Sequence, residues 1–231
     1  MAQTIDIKTG LLDRTITAGG FDYGYQVYVP EKIREGKKLP VILFLHGIGQ
    51  RGTGGIVPTW GPANLIARHY LERVPAVLVL PQCRDDRYWS NRDQAEMAVA
   101  ALDQTTAETG GDEERVSAIG VSMGGYGAWY LASEYPGKFS AVVPICGGSP
   151  LRKGDRFTTI ARKVGRTPVW VFHGADDKTV PVTESRLMVE ALKAEGGNVR
   201  YTEYPGVGHN VWFNVMNESE LLPWVLDQRR L

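Results

Sequence analysis

Short apolar runs separated by helical patterns dominate this 231-residue chain. The continuous apolar runs, typical of strands covered on both faces, are Val41–Leu45, Ala76–Leu80, Val116–Val121 and Ala141–Ile145, with two further strands predicted at Val169–Phe172 and Val199–Tyr204. Helical patterns fall between and after these strands, at residues 64–70, 93–109, 123–135, 184–194 and 218–228. Strands that alternate with helices predict an α/β fold with a doubly wound, mostly parallel sheet and helices on both faces.

The first 38 residues follow a different period. Polar and apolar residues alternate at Arg14–Thr17 and Tyr23–Val29, on either side of the turn signal Gly19-Gly20. This pattern predicts an antiparallel hairpin at the edge of the sheet. Because the chain has no internal repeat, low-complexity tract or linker, we expect one domain over residues 1–231.

The segment from Arg115 to Tyr135 carries the strongest chemical signal. Its strand ends in GVSMG, which fits G-x-S-x-G around Ser122, and a helical pattern begins at once. A strand, a sharp turn and a helix are the context of a nucleophile elbow, in which a strained backbone exposes the serine hydroxyl. Neighbouring backbone passes close to such a turn, which explains the glycines. The turn also directs the N–H of Met123 toward a developing oxyanion.

The strand Val41–Leu45 ends in a glycine-rich loop, HGIGQRG. Its glycines also satisfy G-x-G-x-x-G, and Glu72 lies twenty residues beyond Gly52, so a dinucleotide site has to be considered. That fingerprint requires a helix to begin at the glycines, whereas the continuation TGGIVP cannot form a first helical turn. We therefore interpret the segment as an oxyanion loop whose Ile48 amide is the second donor.

Chain order selects an acid and a base. The strand Val169–Phe172 is followed by HGADDKTVP, in which either Asp176 or Asp177 could be an orienting carboxylate. Of the four histidines, only His209 follows this turn, as the order serine, acid, histidine requires. A serine hydroxyl is a poor nucleophile at neutral pH, so the histidine would take its proton while the carboxylate holds the imidazole.

Composition excludes several classes of function. Lys plus Arg and Asp plus Glu number 26 each with no basic stripe, and no apolar run reaches the ~18 residues of a membrane span, so neither nucleic acid nor a membrane is an expected partner. The first residues lack a signal region, which predicts a cytoplasmic protein, or an exported one whose leader has been removed. Cys83 and Cys146 follow apolar runs and are expected to pack as small hydrophobes. No histidine pair or Cys/His cluster has metal-ligand spacing, so no metal or other cofactor is expected.

Six segments also carry a resemblance to a known family. LHGIGQRG, PQCRDDRYWS, IGVSMGGYGAW, VVPICGG, FHGADDKTVPV and GVGHNVW, in this order, resemble the α/β-hydrolase superfamily. They are similar to its compact serine esterases, near feruloyl and acetyl-xylan esterases, polyhydroxybutyrate depolymerases and prolyl-oligopeptidase-like hydrolases. The resemblance runs from about Phe21 to the C-terminus.

The resemblance implies a role for each matched residue. Ser122, Asp177 and His209 would be the catalytic triad, and the Ile48 and Met123 amides would form the oxyanion hole. The chain departs from the family in one respect. The family loop often carries Glu before the arginine, and here Gln50 precedes Arg51, which puts a carboxylate brace of that arginine in question.

Aromatic residues near the predicted site are the candidates for substrate binding. Trp60, Trp89, Tyr126 and Trp212 lie in or just after loops at the carboxyl ends of strands, where they could stack on a sugar or cinnamoyl ring or else belong to the core. The segment from Gly147 to Pro168 is too short for a lid domain. An open site suits short acyl groups on bulky or polymeric alcohols.

Together these features predict a serine carboxylic-ester hydrolase that works through an acyl-enzyme. Its substrates would be short-chain or aromatic acyl esters, as small molecules or linked to carbohydrate. One alternative is a prolyl-oligopeptidase-like peptidase, although no propeller-like domain is present to filter peptides. Another is a non-catalytic binding protein of this fold, which usually lacks a triad member. The oligomeric state is not predicted.

Overall fold

The computed structural model describes residues 8–31, 38–54 and 75–230. Its strands are β1 (Gly10–Ala18), β2 (Phe21–Val29), β3 (Val41–Leu45), β4 (Val77–Pro81), β5 (Val116–Val121), β6 (Ala141–Ile145), β7 (Val169–Gly174) and β8 (Val199–Tyr204). They form one sheet in the order β1-β2-β4-β3-β5-β6-β7-β8. β2 pairs antiparallel with β1 and β4, and all other pairings are parallel. The predicted α/β sheet with an antiparallel hairpin at its edge is confirmed.

Helices cover both faces of this sheet. In the described part of the chain they are α1 (Arg92–Thr109), α2 (Met123–Glu134), α3 (Arg156–Val164), α4 (Thr183–Ala194), α5 (Trp212–Met216) and α6 (Leu221–Asp227). Side chains of α1 to α4 belong to the apolar cluster on one face, and side chains of α5 and α6 belong to the cluster on the other. The carboxyl ends of the parallel strands are thereby left for loops.

The pleat of each central strand divides its side chains between the two clusters. In β3, Val41, Leu43 and Leu45 belong to one cluster, and Ile42 and Phe44 belong to the other. Successive side chains of a strand point to opposite faces, so a strand buried on both sides is apolar throughout. This is the physical reason why the apolar runs predict the central strands correctly.

Two helical features differ from the sequence-based prediction. Helix α3 is not predicted; its N-cap Asp155 accepts a hydrogen bond from the Thr158 N–H at 3.3 Å, and Ile160 and Val164 are buried. The helix predicted near residues 218–228 is shorter in the structure, where α6 spans Leu221–Asp227. The short helix α5, which precedes it, is not predicted. The segment between β6 and β7 nevertheless contains only one short helix and loops.

The structure tests some of the remaining sequence-based expectations and leaves others as predictions. The helix predicted at residues 64–70 lies outside the described residues, and the assignment of one domain to residues 1–231 stays a prediction. Cys83 and Cys146 are buried free thiols, as expected. No helix among the described residues is both long enough and apolar enough to cross a bilayer.

The turn after β5 requires glycine on both sides of Ser122. A Cβ atom on Gly124 would lie 1.9 Å from the carbonyl oxygen of Leu45, and one on Gly120 would lie 2.0 Å from the carbonyl oxygen of Gly124. Both distances are far below van der Waals contact, and both obstacles are backbone. Ser122 itself has φ 55° and ψ −114°, a strained conformation for a residue with a side chain.

We expect Gly124→Ala to lower the free energy of unfolding by about 3 kcal/mol or more, because β3 cannot move away without losing its sheet pairing. Gly49→Ala is the matched control, since a Cβ atom there meets nothing within 4 Å. It should change stability by no more than about 0.5 kcal/mol. Urea denaturation of the two variants measures the difference, and equal stability would contradict the steric argument.

Candidate active site

Three predicted residues meet at the carboxyl edge of the sheet. Ser122 follows β5, Asp177 lies in the turn after β7, and His209 lies in the loop after β8. The Ser122 Oγ is 2.9 Å from His209 Nε2, and His209 Nδ1 is 2.7 Å from Asp177 Oδ2. The structure therefore brings the serine, the histidine and one acid into a continuous hydrogen-bonded chain.

The Asp177 carboxylate is fully buried and held from two sides. Its Oδ1 accepts hydrogen bonds from the backbone N–H groups of Thr179 at 2.8 Å and Val180 at 2.9 Å. Burial opposes ionisation, but the hydrogen bonds from His209, Val180 and Thr179 outweigh it and lower the pKa of Asp177. The ionised carboxylate accepts the Nδ1–H of His209, which leaves Nε2 free to accept the serine proton.

The two predicted donors, the N–H groups of Met123 and Ile48, belong to segments that meet at Ser122. Met123 begins α2, where unpaired amides and the helix dipole favour negative charge, and Ile48 begins a 3₁₀ turn, Ile48–Gln50, after β3. The two loops touch, since a Cβ atom on Gly47 would lie 3.8 Å from the Ser122 Cβ. Neither N–H donates to a carbonyl within the described residues. Their assignment as an oxyanion hole stays a prediction that this geometry supports.

His46 anchors the start of this loop. Its Nε2 accepts the Cys83 N–H at 3.0 Å, and its Nδ1 lies 2.7 Å from the carbonyl oxygen of Gly47. Burial lowers the pKa of His46 to about 4, so the ring is neutral near pH 7, with its hydrogen on Nδ1. The sequence predicts no role for His46, whose only signal is its place in the motif letters HG.

In the part of the chain that the structure describes, Arg51 is held by backbone carbonyls and an aromatic ring rather than by a carboxylate. Its Nε donates to the Ile48 carbonyl oxygen at 3.3 Å, its Nη1 donates to the Arg87 carbonyl oxygen at 3.3 Å, and its guanidinium lies 5.4 Å from the centroid of the Tyr88 ring. Gln50, the departure from the family pattern, is buried. Two carbonyls and an aromatic face therefore hold the arginine in this loop.

The prediction that Trp89 contacts substrate is wrong. Its side chain is 1% exposed, and its Nε1 donates to the carbonyl oxygen of His46 at 2.9 Å. A Cβ atom on Gly127 would lie 2.4 Å from the Trp89 Cβ, so this tryptophan packs directly on α2. It supports the loop after β3 from within the core.

Of the other aromatic candidates for substrate binding, the structure describes the positions of Trp212 and Tyr126. Trp212 is half-buried, and its ring lies edge-on to the His209 ring with centroids 5.8 Å apart, so it borders the site. Tyr126 is half-buried one turn into α2, and burial raises the pKa of its phenol. Trp60 lies outside the described residues. Substrate contacts for Tyr126 and Trp212 remain predictions.

One cluster in the described part of the chain has the composition of a metal site. The ligand atoms of Cys146, Asp177 and His209 lie within 4.8 Å of one another. The carboxylate and the imidazole already share a hydrogen bond, and burial raises the pKa of the Cys146 thiol, which opposes the thiolate form that metals bind. The carboxylate and imidazole of this cluster are therefore better suited to activating the Ser122 hydroxyl than to binding a metal ion.

Comparisons with known proteins are consistent with this site. The sequence profile of the dienelactone hydrolase family matches residues 73–219. An acyl-protein thioesterase 1 of Gibberella zeae is 25% identical over 78% of this chain and 87% of its own length. An uncharacterized secreted protein of Arthroderma benhamiae is 28% identical over 80% of this chain.

A solved structure described as a thermostable esterase superimposes with a TM-score of 0.85 and 31% sequence identity over 95% of this chain. The present chain spans 63% of that esterase chain and 22% of the Arthroderma benhamiae protein. These two relatives are therefore longer than the sequence described here.

The two adjacent acids should behave differently on substitution. Asp176 is exposed, whereas Asp177 contacts His209. Asp177→Asn should reduce turnover by about 10⁴-fold, the loss typical of a serine protease without its triad acid, because the imidazole takes the wrong tautomer. Asp176→Asn is the control and should change turnover little and stability by at most about 1 kcal/mol. Initial rates with one ester and a thermal melt of each variant distinguish the two acids. An inactive Asp176→Asn beside an active Asp177→Asn would contradict the choice of Asp177 as the acid that holds His209.

Proposed function

Because this chain belongs to the dienelactone hydrolase family, we propose that it is a serine ester hydrolase that works through an acyl-enzyme. The observation that carries the proposal is the hydrogen-bonded chain from Ser122 through His209 to Asp177. A serine at a strained turn, a histidine whose Nε2 faces it and a buried carboxylate together activate a hydroxyl for attack on an acyl carbon.

In the proposed reaction, the Ser122 Oγ attacks the ester carbonyl carbon while His209 Nε2 takes the hydroxyl proton. The N–H groups of Ile48 and Met123 stabilise the negative oxygen of the tetrahedral intermediate. The imidazolium, paired with the Asp177 carboxylate, then gives the proton to the leaving alcohol. Water, activated by the same histidine, attacks the acyl-enzyme and releases the acid.

We propose that the substrates are esters of short-chain or aromatic acyl groups, including esters linked to carbohydrate. Two features of the described residues support this choice. The segment between β6 and β7 holds only α3 and loops, and Trp212 offers an aromatic edge beside His209. The thioesterase similarity adds acyl thioesters as a second class, since the same nucleophile and base act on that carbonyl.

A fluorophosphonate probe should label Ser122, and Ser122→Ala should abolish labelling and reduce turnover by on the order of 10⁶. Ser133→Ala is the matched control, because Ser133 lies on α2 and its Oγ donates only to the Tyr130 carbonyl oxygen at 2.9 Å. It should retain labelling and rate. Ordinary activity in the Ser122 variant would end the serine-hydrolase proposal, and labelling without turnover of any ester or thioester would favour a binding protein.

Acyl-chain preference tests the proposed substrate class. Among p-nitrophenyl esters, kcat/KM should be highest from acetyl to butyryl and should fall beyond about eight carbons, because each methylene without an apolar wall forgoes ~0.8 kcal/mol of burial. Methyl ferulate and acetylated xylan test the aromatic and carbohydrate-linked classes beside this series. A preference for palmitate would contradict the open site.

A further inference from the structure

His173 is a second histidine in contact with the proposed catalytic acid. It lies in β7, is completely buried, and places Nε2 3.2 Å from Asp177 Oδ2 and 3.0 Å from the carbonyl oxygen of Val180. The same Oδ2 atom accepts the Nδ1–H of His209 at 2.7 Å. Two imidazole rings therefore meet at one carboxylate oxygen, although the reaction requires only one of them.

The neighbours of the His173 ring determine where its hydrogen lies. A backbone carbonyl and an ionised carboxylate only accept hydrogen bonds, so Nε2 carries the hydrogen. Burial lowers the pKa of His173, which favours the neutral ring, and its Nδ1 then accepts the Ser185 hydroxyl at 2.7 Å. The Ser185 Oγ also lies 3.3 Å from the Gly147 carbonyl oxygen, a longer and weaker alternative for its single hydrogen.

We propose that His173 is a positioning residue whose Nε2–H stabilises negative charge on Asp177 Oδ2 and so limits how strongly this carboxylate retains a proton on His209. The inference rests on the proposed serine hydrolase function. In a buried site the positive end of an N–H bond beside an oxygen is poorly screened, so its effect on the carboxylate is large. With this N–H present, the carboxylate stabilises the imidazolium of His209 less.

Three other ionisable groups near this site, all among the described residues, keep their charge state around neutral pH. Burial raises the pKa of the Cys146 thiol and of the Tyr126 phenol, both of which interact with Asp177 and stay neutral. Glu203, which interacts with His173 from β8, stays ionised because hydrogen bonds from Arg186 lower its pKa to about 2. The acidic limb of a pH–rate profile should therefore report the pairing of His209 with its carboxylate.

The test is the profile of kcat/KM from about pH 5 to pH 9 for the wild type, His173→Leu and His173→Gln. His173→Leu removes the N–H, so its acidic limb should move to higher pH by on the order of half a unit. Its plateau kcat should fall by about tenfold, with KM unchanged, because His173 acts through Asp177. His173→Gln should restore the limb, since its amide N–H can take the place of Nε2–H.

Thr202→Val is the control for the loss of a part-buried hydrogen bond on the strand next to β7. The Thr202 Oγ1 accepts the Nε1–H of Trp170, another β7 residue, at 3.0 Å without touching the triad. This variant should lower the Tm and leave the acidic limb in place. If His173→Leu does not fold, Ser185→Ala removes the hydroxyl that orients the ring and should give a smaller shift in the same direction.

A folded His173→Leu or Ser185→Ala protein with the wild-type acidic limb would overturn the role of His173, as would a His173→Gln protein that behaves like His173→Leu. The two proposals fail in different ways. Wild-type protein that turns over no ester or thioester would count against the hydrolase function. An unshifted limb in an active variant would count only against the positioning role.

Discussion

The site depends on close backbone contact between the loop after β3 and the turn after β5. Gly124 lies against the Leu45 carbonyl so tightly that no side chain fits, and Gly47 approaches Ser122 from the same loop. This contact fixes the two N–H groups of Ile48 and Met123 on adjacent backbone segments. The strained φ of Ser122 persists because the sheet on both sides over-determines it.

A buried carboxylate organises the opposite side of the site. Ionised Asp177 would be costly in the core without compensation, and polar hydrogens surround both of its oxygens. Thr179 and Val180 supply backbone N–H groups to one oxygen, while His209 and His173 face the other. The protein's own hydrogen bonds hold these groups in place, and such preorganisation is the form in which electrostatic stabilisation is most effective.

Most of the sheet could be predicted from the sequence because strands buried on both faces are mostly apolar, as in β3 and β6. The order of motifs also predicted the hydrogen-bonded chain that joins Ser122 to His209. Contacts between distant segments that no motif marks could not be predicted in this way. Trp89, in the loop between β4 and α1, has the same local pattern whether it faces a pocket or packs on α2. The position of the hydrogen on His173 depends on Ser185, which belongs to the next helix.

The loop that carries Ile48 illustrates how one local departure is compensated. A glutamate before the arginine would provide a charged brace, and Gln50 cannot. Arg51 instead donates to two backbone carbonyls and lies over the Tyr88 ring, and within the described residues it forms no ion pair with a carboxylate. Carbonyl contacts are directional and less sensitive to salt than an ion pair. The loop can therefore keep its amide in position through contacts that do not require a neighbouring glutamate.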